Sequence, residues 1–111
     1  MTEATTDVED AGGRLRVALR GEIDMVNVGI VDSDLRALIS NTHTDVVVDL
    51  AELTHLDSSG LRMLFSLSTR LEVLQIRFHL HVPLDAPARR VIELSGIGAI
   101  ASLQPEARAS S

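Results

Sequence analysis

Three valines stand in a row at positions 46–48, inside a stretch from Asp45 to Ala51 that adds Leu50. β-Branched side chains suit a pleated surface, and an apolar run without polar alternation suits a strand covered on both faces. This stretch therefore predicts a central strand, and the rest of the chain must supply neighbours beside it and layers packed on it. Arg14 to Arg20 is one such neighbour. Leu15, Val17 and Leu19 point one way, and Arg14, Arg16, Ala18 and Arg20 the other. Gln75 to Val82 is a second, with Ile76, Phe78, Leu80 and Val82 toward a core and Arg77, His79 and His81 away from it. Both have the period of two expected of half-buried strands.

Between these runs the period changes. Val28, Val31, Leu35, Leu38 and Ile39 recur at steps of three and four, which marks one face of a helix over Val28–Ser40, with Asp32, Asp34 and Arg36 on the opposite face. Leu61, Leu64, Phe65, Leu71 and Leu74 form the stripe of a second helix. A third is predicted over Ala88–Ser95, opened by Pro87, closed by Gly96, and burying Val91, Ile92 and Leu94. Thr5–Glu9 reads as a short edge strand joined to the Arg14 strand by a turn at Ala11-Gly12-Gly13. Gly21-Glu22-Ile23-Asp24 ends that second strand, Glu52–Leu56 is the exit from the central one, and Ile97–Leu103 is a last short apolar segment, helical or extended. Met1–Glu3 and Pro105–Ser111 are small and polar and read as loose ends. The order is β-β-α-β-α-β-α with a tail element. It predicts one α/β domain with a mixed β-sheet of four to five strands and helices packed mainly on one face, its core spanning about residues 10–103 of the 111.

Composition narrows the function. The chain has 16 acidic and 10 basic residues, for a formal net charge of -6, and only 2% aromatics. A phosphate-binding surface needs a positive excess and single-stranded nucleic acid needs stacking platforms, so nucleic acid is not an expected partner. Cysteine is absent, which excludes disulfides, zinc–thiolate and iron–sulfur sites and thiol nucleophiles. No apolar stretch approaches the roughly 20 residues of a membrane span, and Met1–Asp10 has no signal-peptide pattern. A cytoplasmic protein with no membrane partner and no cofactor is the expectation.

Asp57-Ser58-Ser59-Gly60 sits between the central strand and the second helix. Functional loops of open α/β sheets gather at the carboxyl ends of parallel strands, and this run is in that position. Asp and Ser before a helix are ordinary N-caps. The same place also gives a serine an exposed hydroxyl, and a phosphate attached there meets unpaired backbone N–H groups. Local sequence leaves both readings open, and they are compatible.

Three spaced motifs extend the reading. Leu19-Arg20-Gly21-Glu22-Ile23-Asp24 resembles the L-x-G-E-[IL]-D signature of the STAS domain. Val46-Val47-Val48-Asp49-Leu50, Leu53 and Leu56-Asp57-Ser58-Ser59-Gly60-Leu61 are similar to that family's central strand and phosphorylation loop. Arg89–Ile97 resembles its last helix. The resemblance covers roughly residues 10–103 and implies a bacterial anti-sigma factor antagonist. Such a protein, when unmodified, binds an anti-sigma factor serine kinase and frees the sigma factor. The kinase then uses Mg-ATP to phosphorylate the serine after the motif aspartate, and a metal-dependent serine phosphatase reverses the step. By residue, that serine is Ser58, with Ser59 as the fallback. Glu22, Asp24, Asn27, Asp57, Ser59, Gly60, Leu61 and Arg62 are the implied partner-binding residues. The antagonist is a kinase substrate and a binder rather than an enzyme, and a monomer is expected. Two departures stand out: Met25–Ile30 lacks the small-residue–Pro pair that opens the family's first helix, and Arg62 replaces a common Gly.

Other patterns carry less. His79-x-His81 offers two metal ligands where sites need three or four, so a solvated or partner-facing role is expected. His55 with Ser58 would suit a hydrolase or transferase, but no nucleophile-elbow pattern surrounds Ser58. Arg89-Arg90 reads as a helix face rather than a nucleic-acid patch. A STAS scaffold or accessory subunit that is never phosphorylated is the alternative within the resemblance.

Overall fold

The computed structural model describes residues 3–99 and 101–104. The chain runs β1 (Ala4–Ala11), β2 (Arg14–Ile23), α1 (Val28–Leu38), β3 (Asp45–Asp49), β4 (Leu53–Leu56), α2 (Ser58–Val73), β5 (Arg77–His81), α3 (Arg89–Ser95), a 3-10 turn (Ile97–Ala99) and β6 (Ser102–Gln104). Apart from Glu3, the ends expected to be loose lie outside the described residues. The sheet reaches back to Ala4, ahead of the core boundary expected near residue 10, because β1 pairs along its whole length with β2.

The mixed α/β architecture is the expected one, but its sheet has six strands rather than four to five. β1 and β2 form an antiparallel hairpin, and β2, β3, β5 and β6 follow as parallel neighbours in that order. The two additional strands are β4, from the exit of the central strand, and β6, from the tail. Both are too short to show a period. β2 serves two partners in succession. Arg14–Ala18 pairs with β3, the register shifts between Gly21 and Glu22, and the end of the strand pairs with β4.

The alternation in β2, β3 and β5 turns Leu15, Val17, Leu19, Val46, Val48, Phe78 and Leu80 to one face. There they form a single cluster with Val31 and Leu35 of α1, Leu64, Leu67 and Leu71 of α2, and Ile92 of α3. All three helices therefore pack on this face. Leu94 faces solvent instead of the core, and Leu74 is the partly exposed C-cap of α2 rather than part of its stripe. Pro87 lies in the turn ahead of the N-cap Ala88, so it precedes α3 instead of opening it. Gly96 ends α3 in the left-handed region, as expected.

The opposite face of β3 is covered differently from the expectation. Val47 is fully buried there, yet no second layer lies over it. Its neighbours in register are Arg16 of β2 and His79 of β5, and long polar side chains close over the strand. Arg16 pairs with Asp49, Arg77 donates to Asp45 at 2.9 Å, and His79 lies 3.0 Å from Asp45. His81 is 3% exposed; its Nδ1 donates to the Gln104 carbonyl at 3.1 Å. The expectation of a solvated or partner-facing role fails for His81, which is buried, and His79 is turned to Asp45 instead of to open solvent, because carboxylates of β3 and the backbone of β6 pair with them. Among the described residues, no group of three or more ligating side chains is placed to hold a metal ion, and no helix is long and apolar enough to cross a membrane.

Candidate functional site

Gly21 is where β2 leaves β3 for β4, and the crossing needs a residue without a side chain. Its φ is +93°, and a Cβ would lie 2.3 Å from the carbonyl oxygen of Glu3. The space is used for pairing: the N–H of Glu22 donates to that oxygen at 2.8 Å, and the Thr54 hydroxyl donates to the Gly21 carbonyl at 3.0 Å. Beyond this point Ile23 pairs with Leu56, and the Asp57 N–H donates to the Ile23 carbonyl at 3.3 Å. The two sequence motifs are thus joined by backbone hydrogen bonds at the carboxyl end of the sheet.

The loop after β2 is shaped by its own polar residues. Asp24 accepts the Val26 N–H on Oδ1 at 2.9 Å. Asn27 accepts the Asp24 N–H at 3.1 Å and donates Nδ2 to the Glu22 carbonyl at 2.8 Å. Asn27 is therefore turned inward and buried, where it closes the loop. Glu22 is exposed and Asp24 half-buried. Met25, Val26 and Ile30 are apolar, yet 78%, 77% and 67% exposed. Sequence reasoning missed these three. For Ile30 a signal was available, since it falls off the stripe set by Val28, Val31 and Leu35; Met25 and Val26 lie in the turn before α1, where no period applies.

The start of α2 follows from Asp57. As N-cap it accepts the N–H groups of Ser59 and Gly60 on Oδ1, at 2.9 and 3.2 Å, together with the Ser59 hydroxyl. The Ser59 hydroxyl, with the two N–H groups, holds the Asp57 carboxyl below the usual carboxylate range. Ser59 is half-buried and its hydroxyl committed. Ser58 is exposed, and its hydroxyl has no hydrogen-bond partner among the described residues. Gly60 is buried against the strand ends: a Cβ would come within 2.3 Å of Leu56 Cδ1 and 3.2 Å of Ile23 Cγ2. Leu61 packs at the edge of the core, and Arg62 is exposed. A groove of about 270 Å³ runs between α1 and α2, lined by Val28, Gly29, Asp32, Ser59, Arg62 and Met63, among others.

Glu22, Asp24, Asp57, Ser58, Ser59 and Arg62 therefore gather at one end of the molecule, with Asn27, Gly60 and Leu61 beneath them as support. His55 is exposed, and among the described residues it makes no hydrogen bond to Ser58. The chemistry of this end is that of a free hydroxyl on a rigid helix, beside carboxylates and an apolar loop. Such an arrangement can receive a group and can dock a partner.

The STAS domain family model matches residues 5–108. Among solved structures, an anti-sigma factor antagonist from Mycobacterium paratuberculosis is 31% identical, with a TM-score of 0.82 over 94% of this chain and 87% of that one. The anti-sigma factor antagonist SpoIIAA in its unphosphorylated form is 23% identical, with a TM-score of 0.73 over 92% and 90%. The Bacillus cell fate determinant SpoIIAA in its phosphorylated form is also 23% identical, with a TM-score of 0.68 over 92% and 93%. No curated protein matches the sequence.

Proposed function

The chain belongs to the STAS-domain family, and from that premise we propose that it is an anti-sigma factor antagonist working by partner switching in the cytoplasm. The unmodified form binds an anti-sigma factor serine kinase and so releases the sigma factor. Phosphorylation of Ser58 ends that binding, and a metal-dependent serine phosphatase restores it. The chain acts as a monomeric binder and substrate and performs no catalysis of its own. One observation carries this reading. Of the two serines after Asp57, Ser58 alone offers an exposed hydroxyl without a partner, while Ser59 is tied to Asp57. The solved structures of SpoIIAA in both phosphorylation states support it by likeness of fold.

The phosphoryl step balances simply. Ser58 Oγ forms a bond to the γ-phosphorus of ATP, the bond to the bridging oxygen breaks, ADP leaves, and the hydroxyl proton passes to a base on the kinase. The product adds a charge of about −1.5 to −2 next to Asp57 and the Asp24 loop. Like charges set across an interface cost several kcal/mol, and about 1.4 kcal/mol is tenfold in affinity. The kinase would cover Ser58, Arg62 and the loop from Glu22 to Val26, a surface that Asn27, Gly60 and Leu61 shape from beneath. Exposed Met25, Val26 and Ile30 provide the apolar part of that contact. No refolding is required.

The test uses the host's anti-sigma kinases, Mg-ATP and purified antagonist. One added phosphoryl group is expected on wild type and on Ser59→Ala, and none on Ser58→Ala. Ser58→Asp should bind the kinase at least about tenfold more weakly than Ser58→Ala. Equal, tight binding by the Asp and Ala variants would sink the switch. Absence of phosphoryl transfer from every kinase would favour an unphosphorylated STAS scaffold.

A further inference from the structure

The geometry points to Arg62 as an intramolecular clamp for the phosphate on Ser58, so that modification removes both a free hydroxyl and a free guanidinium from the docking surface. This rests on the reading of Ser58 as the phosphorylated residue. Ser58 and Arg62 are four residues apart in α2, where residues at that spacing are neighbours on one face. Helical side chains lean toward the helix N-terminus, so the long side chain of Arg62 can swing from the α1–α2 groove it lines back over the turn that carries Ser58. An anion placed four residues ahead of a cation is the favourable orientation of such a pair.

Charge and position together single out this arginine. Arg16, Arg20, Arg36, Arg77 and Arg89 are each committed to a carboxylate. Arg62 is exposed and has no ion pair among the described residues. Arg14 and Arg90 also lack an ion pair among the described residues, but they lie in β2 and α3. Arg70 is also in α2, but at 1.5 Å per residue it starts about 18 Å from Ser58 along the axis. Asp32 lines the same groove as Arg62, and it already pairs with Arg36 at 3.1 Å. Asp57 spends one carboxyl oxygen on the donors of Ser59 and Gly60. A phosphate on Ser58 therefore arrives beside a carboxylate that repels it and one uncommitted guanidinium, whose planar fork matches its oxygens.

The clamp is tested on protein with phosphoserine installed at position 58 during translation, which needs no kinase. The phosphate's second ionisation is followed by 31P NMR against pH. A nearby guanidinium favours the dianion, so this pKa should be lower in the protein that keeps Arg62 than in Arg62→Gln. The expected difference is about 0.3–0.7 pH unit, the range for a helical ion pair strengthened by charge-assisted bonds. Arg62→Lys should recover part of the shift, because it keeps the charge and loses the fork. Superimposable titrations of the phosphoprotein with Arg62 and of its Arg62→Gln variant overturn the clamp, including where the substitution only lowers stability. Failure of every kinase to modify Ser58 would instead overturn the switch and leave this titration unchanged.

Discussion

Ser58 and Ser59 are adjacent and chemically identical, yet only one hydroxyl is committed, because Asp57 reaches the second serine and not the first. The sequence showed that this run could cap a helix. Choosing between its serines needed the resemblance; the geometry adds that the Ser59 hydroxyl is committed and the Ser58 hydroxyl exposed, which is the ground on which phosphorylation at Ser58 is proposed. Gly60 shows a second limit of the sequence: the run gives no reason for a glycine at this place, and the reason is a close approach to Leu56 and Ile23. Replacing it with alanine should push α2 off the strand ends. Leu56 meets the new methyl with the tip of a flexible side chain, whereas Ile23 belongs to the packed end of β2. A loss of about 1–3 kcal/mol is expected in Gly60→Ala, the usual range for overpacking, read from urea unfolding. A stability equal to wild type would show that the helix start has more slack than the contact implies.

At the scale of elements, long periodic segments were legible and short ones were not. β2, β5, α1 and α2 announced themselves by period, since each buries one face repeatedly, and β3 by an unbroken apolar run. β4 and β6 have four and three residues, too few for a pattern, and both are defined by the neighbour they join. The exposure of Met25 and Val26 was not legible because a turn before a helix has no period to read, whereas Ile30 stood off the stripe of α1. The inward turn of Asn27 was not legible either, because its partners are backbone groups. The join between β2 and β4 depends on Gly21. Gly21→Ala would place a methyl against the Glu3 carbonyl and force an unfavourable φ. A loss of about 1–3 kcal/mol is expected from the backbone conformation alone, together with faster amide exchange at Glu22, whose N–H bonds to Glu3. Unchanged exchange at Glu22 would show that β1 does not hold this corner.

For the molecule as a whole, the sheet has an apolar face carrying three helices and a polar face carrying a ladder of ion pairs. The polar face explains why three valines in a row misled on one point: Val47 is buried by charged neighbours, which no hydropathy pattern marks as cover. Asp45 is central to this ladder. The guanidinium of Arg77, with lesser help from His79 and Thr44, holds its carboxyl well below the usual carboxylate range. A carboxyl whose folded pKa is depressed stabilises the fold above its unfolded pKa, near about 3.9, and that stability is lost as pH falls toward the folded value. Asp45→Asn should therefore flatten the fall of Tm with acid between about pH 4 and pH 2, while lowering Tm near neutrality. Parallel Tm curves for the two proteins would remove Asp45 from the account. β1 lies at an edge of this sheet, eight residues long, and carries Asp7, Glu9 and Asp10. An open strand edge is the template on which sheets of separate copies grow into fibres. Asp7 is held by Arg20 and Asp10 lies 3.1 Å from His43, which leaves Glu9 as the carboxylate of this edge without an ion pair among the described residues; two copies meeting edge to edge should repel through it, and added salt, which screens charge over about 10 Å at 0.1 M, should weaken that repulsion.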